Sequence, residues 1–155
     1  MSNEIYIVTG KIQSGKTTRL FEFIKNHKSV DGILAPIVNG KRKLFHISSK
    51  ELKELEVPYS DNSTISVGKY NFLKEAFKWG NAKLLESFSN EPEWLIIDEI
   101  GKLELLGKGL EPAISEIFQS LIKNKTKIIL VIRDYLVDEV IQKYNLNNYQ
   151  LKNFY

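Results

Sequence analysis

The stretch from Ile5 to Thr17 constrains this chain more than any other. A short apolar run, Ile5-Tyr-Ile-Val-Thr9, leads straight into Gly10-Lys-Ile-Gln-Ser-Gly15-Lys16-Thr17, and a helical pattern follows. Glycine, four residues, then Gly-Lys-Ser/Thr between a strand and a helix is the phosphate-binding loop pattern. Gly10 and Gly15 give the backbone freedom to turn and let its amides approach a phosphate closely. The helix that follows offers unpaired N–H groups and the positive end of its dipole to the same anion. The spacing therefore makes Gly10, Lys11, Ile12, Gln13, Ser14, Gly15, Lys16, Thr17 and Thr18 the candidate nucleotide-binding residues. Lys16 is placed to reach the β- and γ-phosphates, and the Thr17 hydroxyl to ligate Mg²⁺.

A phosphate loop calls for an acidic partner at the end of another buried strand. Trp94-Leu-Ile-Ile97 is a continuous apolar run that ends in Asp98-Glu99. An apolar strand ending in Asp puts the carboxylate at the carboxyl edge of the sheet, where open α/β folds bind ligands. Asp98 is the second candidate for Mg²⁺, through a water. Strand alternation points Glu99 the other way, toward the γ-phosphate side, as general base for an attacking water or in the metal's outer shell. The plain alternative for the pair is a solvated strand end.

The segment Asp98-Glu-Ile-Gly-Lys-Leu-Glu-Leu105 resembles the Asp-Glu-Ile-Gly-Lys-Met-Glu-Leu signature of the THEP1-like nucleoside-triphosphatases, with Leu103 in place of methionine. The Gly40-Lys-Arg42 hairpin, Val67-Gly-Lys-Tyr70 and the late strand before Arg133 fit the same family. The resemblance implies a small protein with a phosphate-binding loop that hydrolyses nucleoside triphosphates of several bases. Two stretches differ from the family pattern: the second strand, Ile33-Leu-Ala-Pro-Ile-Val38, and a short middle. Gly101 would let the loop after the acidic strand turn sharply. Lys102 would contact a phosphate oxygen or pair with Glu104. Arg133 would stabilise charge, in cis or from a neighbouring subunit, or else pair with Asp134 or Asp138. The candidate catalytic set is thus Glu99, Lys16, Lys102 and Arg133, with Thr17 and Asp98 for the metal.

The rest of the chain supports an α/β reading with a mostly parallel sheet, helices on both faces and a β-hairpin insertion. Helices are expected over Thr17–Lys25, from about Asn71 to Phe88, over Leu110–Ile122 and over Val137–Tyr144, and a buried strand over Lys127–Ile132. Asn39-Gly40 signals a hairpin between Gly32–Val38 and Lys43–Ile47. Ser49–Leu52 is expected to form one helical turn, Ile65–Val67 a short strand, and Gly80 to weaken its helix by about 1 kcal/mol. Lys41-Arg42-Lys43 is expected to be a solvated hairpin tip, and His27 and His46 to be structural or surface residues.

At 155 residues the chain suits one domain with a substantial core. It has no cysteine, which removes thiol catalysis and thiolate metal sites. The net charge of +3 has no dense basic stripe with interleaved aromatics, so nucleic acid is not an expected partner. No apolar run is long enough to span a membrane, and the N-terminus has no signal-peptide pattern, so a cytoplasmic protein is expected. Hydrolysis is the leading reading. A kinase for an anionic acceptor would want more than Arg19, Arg42 and Arg133, whereas one for a neutral acceptor stays open. A nucleotide-dependent switch stays open too, though Asn124-Lys-Thr-Lys127 lacks the aspartate of a guanine motif. Whether the protein acts as a monomer or a homo-oligomer is left undetermined.

Overall fold

A computed structural model describes residues 3–10 and 15–154; Lys11, Ile12, Gln13 and Ser14 of the phosphate loop lie outside the described residues. The elements run β1 (Glu4–Gly10), α1 (Lys16–Asn26), β2 (Val30–Leu34), β3 (Ile37–Val38), β4 (Lys41–His46), β5 (Leu52–Glu54), β6 (Glu56–Val57), β7 (Thr64–Val67) and β8 (Tyr70–Leu73). They continue with α2 (Lys74–Ser89), β9 (Trp94–Ile100), α3 (Lys102–Leu105), α4 (Ala113–Ser120), β10 (Lys127–Arg133), α5 (Val137–Lys143) and β11 (Gln150–Asn153).

The central sheet has the order β11-β1-β10-β9-β2-β4-β3, with β5 added on β4. Its first five strands are parallel, and β4 turns the sheet antiparallel. Strands β9 and β10 are buried on both faces, as their unbroken Ile/Leu/Val runs require. Alternate residues feed two cores. Ile96, Ile129 and Val131 face α1 through Leu20, with Val8 and Leu34 beside them. Ile97, Leu130 and Ile132 face the opposite layer, where α2, α4 and α5 contribute Leu84, Ile114, Ile117 and Val140. Helices thus cover both faces of a mostly parallel sheet. Among the described residues no helix is long and apolar enough to cross a membrane.

The hairpin signal is met. Val38 pairs with Lys41 across Asn39-Gly40, whose φ angles of 53° and 79° are the positive pair that a two-residue turn of this kind needs. Two expectations in the middle of the chain are corrected. Ser49–Leu52 forms no helical turn; the chain reverses there, with Lys50 at φ 60°, and Leu52–Glu54 pairs along the open edge of β4. Asn71 to Leu73 is strand rather than helix, because the Gly68-Lys69 turn folds β8 back on β7 in a small separate sheet.

Gly80 has a packing role in α2. A Cβ there would lie 2.9 Å from Leu110 Cδ2 and 3.1 Å from Leu44 Cδ1, so the glycine lets the helix lie against both. His46 is structural: it is buried, with its ring nitrogens 2.7 Å from Ser49 Oγ and 2.8 Å from Ser87 Oγ. His27 is an exposed residue stacked on Phe23.

Candidate active site

Three of the parallel strands, β1, β10 and β9, bring pieces of the site to one edge of the sheet. β1 runs out at Gly10, beside Arg133 at the end of β10. Gly15 then opens α1 at φ 84°, a left-handed conformation that a side chain would strain, and its carbonyl accepts the Arg19 N–H. Lys16 follows, nearly buried, while Thr17 and Thr18 line the same cleft of about 410 Å³. Asp98 and Glu99 come from β9.

β9 does not end at Asp98. It continues to Ile100, and its register against β10 slips: Val131 pairs with Asp98 and Ile132 with Ile100, leaving Glu99 as the extra residue of a bulge. A bulge interrupts the alternation and re-aims the side chain. Asp98 and Glu99 therefore line the same clefts, instead of pointing to opposite sides as strand alternation predicts.

The carboxylate of Glu99 sits between two cations. Arg133 Nε donates to its Oε1 at 2.9 Å, and Lys16 Nζ stands 3.7 Å from Oε2. The expected partners of Arg133, Asp134 and Asp138, are not the ones it takes. Asp98 is almost wholly buried. Burial, and then the Glu99 charge beside it, push its carboxyl up to about 6, against the Ala35 N–H bond (3.1 Å) and the Arg42 charge, which both favour ionisation.

Ala35 holds both sides of this arrangement. Its N–H binds Asp98 and its carbonyl accepts Arg42 Nη1 at 2.7 Å, which brings Arg42 over the acidic pair. Arg42 is thus a lining residue of the site, not a solvated hairpin tip. The strand period could have located it, because Arg42, Leu44 and His46 share one face of β4, and the last two are buried.

Glu104 is the other residue that sequence reasoning undervalued. It does not pair with Lys102. Its two oxygens accept the Gly101 N–H (2.8 Å) and the Leu110 N–H (3.0 Å), fastening the loop after β9 to the segment ahead of α4. Burial raises its carboxyl to about 7, against the backbone N–H bonds. Gly109 is needed beside it, since a Cβ there would overlap the carboxylate. Lys102 lies over the Tyr135 ring at 5.9 Å, at the mouth of a second cleft.

Thr17 and Asp98 supply a hydroxyl and a carboxylate to one cleft. These are hard oxygen donors of the kind that Mg²⁺ takes in ones and twos when phosphates and waters complete its shell. Among the described residues no group of three or more His, Cys, Asp or Glu side chains gathers that could hold a metal by itself. The donor set fits Mg²⁺ shared with a phosphate ligand.

Comparison with known proteins agrees with this geometry. A family model described as NTPase matches residues 5–153. Nucleoside-triphosphatase THEP1 of Thermotoga sp. (strain RQ2) is 30% identical over 117 residues, 74% of this chain and 67% of that one. Its counterpart in Natranaerobius thermophilus is 31% identical over 127 residues, 77% of this chain and 72% of that one. The crystal structure of THEP1 from Aquifex aeolicus superposes with a TM-score of 0.75 at 21% identity, over 96% of this chain and 88% of that one. The solution structure of a human cancer-related nucleoside triphosphatase gives 0.65 at 22% identity, over 98% and 88%. A phosphate loop, an acidic strand end and an arginine brought to one sheet edge, together with a match along nearly the whole chain, place this protein in the THEP1-like family of P-loop nucleoside-triphosphatases.

Proposed function

We propose that the protein hydrolyses the γ-phosphate of Mg²⁺-bound nucleoside triphosphates, ATP and GTP among them, with Glu99 activating the water. The observation that carries this reading is the Glu99 carboxylate, held between Lys16 and Arg133 and next to Asp98 in the cleft of the phosphate loop. In this reading both cations turn to phosphate oxygens when a triphosphate enters, which frees the carboxylate to meet the water.

The loop motif and the lining of the cleft support the remaining roles. Backbone amides from Gly10 to Thr18, Lys11, Ile12, Gln13 and Ser14 included, cradle the phosphates, and Lys16 neutralises the β- and γ-oxygens. Thr17 and Asp98 hold Mg²⁺, which supplies further neutralisation of the triphosphate charge when bound. Arg133, in cis, and Lys102 meet the charge that develops on the transferred phosphoryl group. Glu99 orients the water in line and takes its proton.

The test is phosphate release from ATP, GTP, CTP and UTP with Mg²⁺, beside Glu99→Gln and Lys16→Ala. The expected result is release from several bases, with Glu99→Gln binding nucleotide but losing about a hundredfold in turnover. Equal release from all three proteins overturns the reading.

A further inference from the structure

The cleft of the phosphate loop shares a wall with a second one. Arg42, Asp98 and Glu99 line both, and behind them the second cleft encloses about 390 Å³. An attacking water needs no chamber of its own, whereas small-molecule sites run from roughly 300 to 1,000 Å³. The lining is divided. Leu44, Leu55, Phe72, Phe77 and Leu110 make an apolar body, while Arg42, Asp98 and Glu99 form the shared wall and Lys69 and Lys102 add cations elsewhere on the lining. Tyr70 and Tyr135 line the same cleft and are its exposed aromatics, at 40% and 61%.

The polar end suits an uncharged group. Of the cations that line this cleft, Arg42 is engaged by the Ala35 carbonyl, Arg133 by Glu99 and, once a triphosphate is bound, by its phosphate oxygens, and Lys69 and Lys102 stand over the Tyr70 and Tyr135 rings, so an anion reaching the shared wall would meet Asp98 and Glu99. A hydroxyl meets a carboxylate acceptor there. Resting on the hydrolytic reading of Glu99, we propose that the second cleft binds a small alcohol with an apolar body, and that the γ-phosphoryl group is transferred to its hydroxyl. The alcohol oxygen forms a bond to the γ-phosphorus, and the bond from that phosphorus to the β,γ-bridging oxygen breaks. The hydroxyl proton passes to Glu99, and the electron pair leaves with the nucleoside diphosphate. The products are a phosphate monoester and the diphosphate, and no other reactant is needed. Water takes the same path when the cleft holds no alcohol.

The test uses the whole protein with γ-labelled ATP, magnesium chloride and one of three alcohols: 2-phenylethanol, cyclohexylmethanol, or glycerol as a polar comparison. Monoester is separated from inorganic phosphate. The expected result is saturable capture of label by an apolar alcohol, at least about tenfold above the share set by its concentration relative to water, as positioning of a bound acceptor produces. Glycerol stays at that share. Val67→Trp or Phe72→Trp, either of which narrows the cleft, returns capture to it while inorganic phosphate is still released. Because saturation and the glycerol comparison are read on the parent, the result does not depend on either variant folding. If neither apolar alcohol rises above its share while phosphate release still requires Glu99, the inference falls and the hydrolytic reading stands. If phosphate release does not require Glu99, the hydrolytic reading falls and takes this inference with it.

Discussion

Arg133 donates through Nε to Glu99 Oε1 at 2.9 Å, so the last residue of β10 holds the bulged residue of β9. Replacing Arg133 with Gln leaves Lys16 as the cation beside that carboxylate. The expected loss is about a hundredfold to a thousandfold in turnover, the range for removing a group that stabilises developing charge. Steady-state phosphate release checks it, with nucleotide binding measured alongside to separate turnover from affinity.

Glu99→Gln carries a second expectation. The substitution removes a negative charge from beside the γ-phosphate position and leaves two cations there. Triphosphate should bind at least as tightly as to the parent while hydrolysis slows. Titration with a fluorescent ATP analogue checks the affinity, and weaker binding would count against the placement of the γ-phosphate.

Arg42→Ala breaks the bond to the Ala35 carbonyl and removes a charge that favours ionised Asp98. A partly buried charge-assisted hydrogen bond contributes about 1.5–3 kcal/mol, so urea unfolding should show a loss of that order. The magnesium dependence of turnover should shift to higher concentration, because Asp98 becomes harder to ionise. An unchanged magnesium dependence would mean that Arg42 supports only the hairpin.

Glu104 gives stability a pH dependence with a definite sign. Burial raises its folded-state carboxyl from an ordinary 4.5 to about 7. Its contribution is therefore complete below about pH 4.5 and is lost as pH rises through about 7, at no more than about 1.4 kcal/mol per unit. Glu104→Gln has no such slope. It also sets an amide NH₂ against one of the two backbone N–H groups, at a cost of about 1–3 kcal/mol. Urea midpoints should show the variant less stable at pH 5, with that deficit shrinking by about 2–3 kcal/mol and so closing or reversing by pH 8.

Gly80→Ala sets two effects against each other. Helix propensity favours alanine by about 1 kcal/mol. The added methyl meets Leu110 and Leu44, both almost fully buried, and overpacking a core costs about 1–3 kcal/mol. The net expectation is a loss of up to about 2 kcal/mol by urea unfolding. A stabilised variant would show that α2 can move off the sheet at little cost.

What could be read from the sequence follows from where burial leaves a periodic mark. β9 and β10 are unbroken apolar runs, so their place in the parallel core was legible, as was Asn39-Gly40, where both turn residues need positive φ. β5 and β6 are three and two residues long, and β5 is exposed throughout. Strands that short exist because a neighbouring edge offers hydrogen bonds, and that neighbour lies outside the local pattern. The Glu99 bulge was hidden for a different reason: regular and bulged pairings use the same residues, and only the partner strand distinguishes them. Glu104 sat in plain view within the motif, yet its backbone partners, Gly101 and Leu110, become visible only once the chain has turned.

β10 lies between the strand that feeds the phosphate loop and the strand that carries the acids, which sets those two strand ends about 9–10 Å apart at ordinary sheet spacing. The long side chain of Lys16 leaves the first turn of α1 and comes within 3.7 Å of Glu99, and under the hydrolytic reading the terminal phosphate of a chain anchored at the loop must come to the same place. Under the hydrolytic reading the sheet is a length gauge. On that reading a triphosphate reaches Glu99 where a diphosphate held at the same loop stops short.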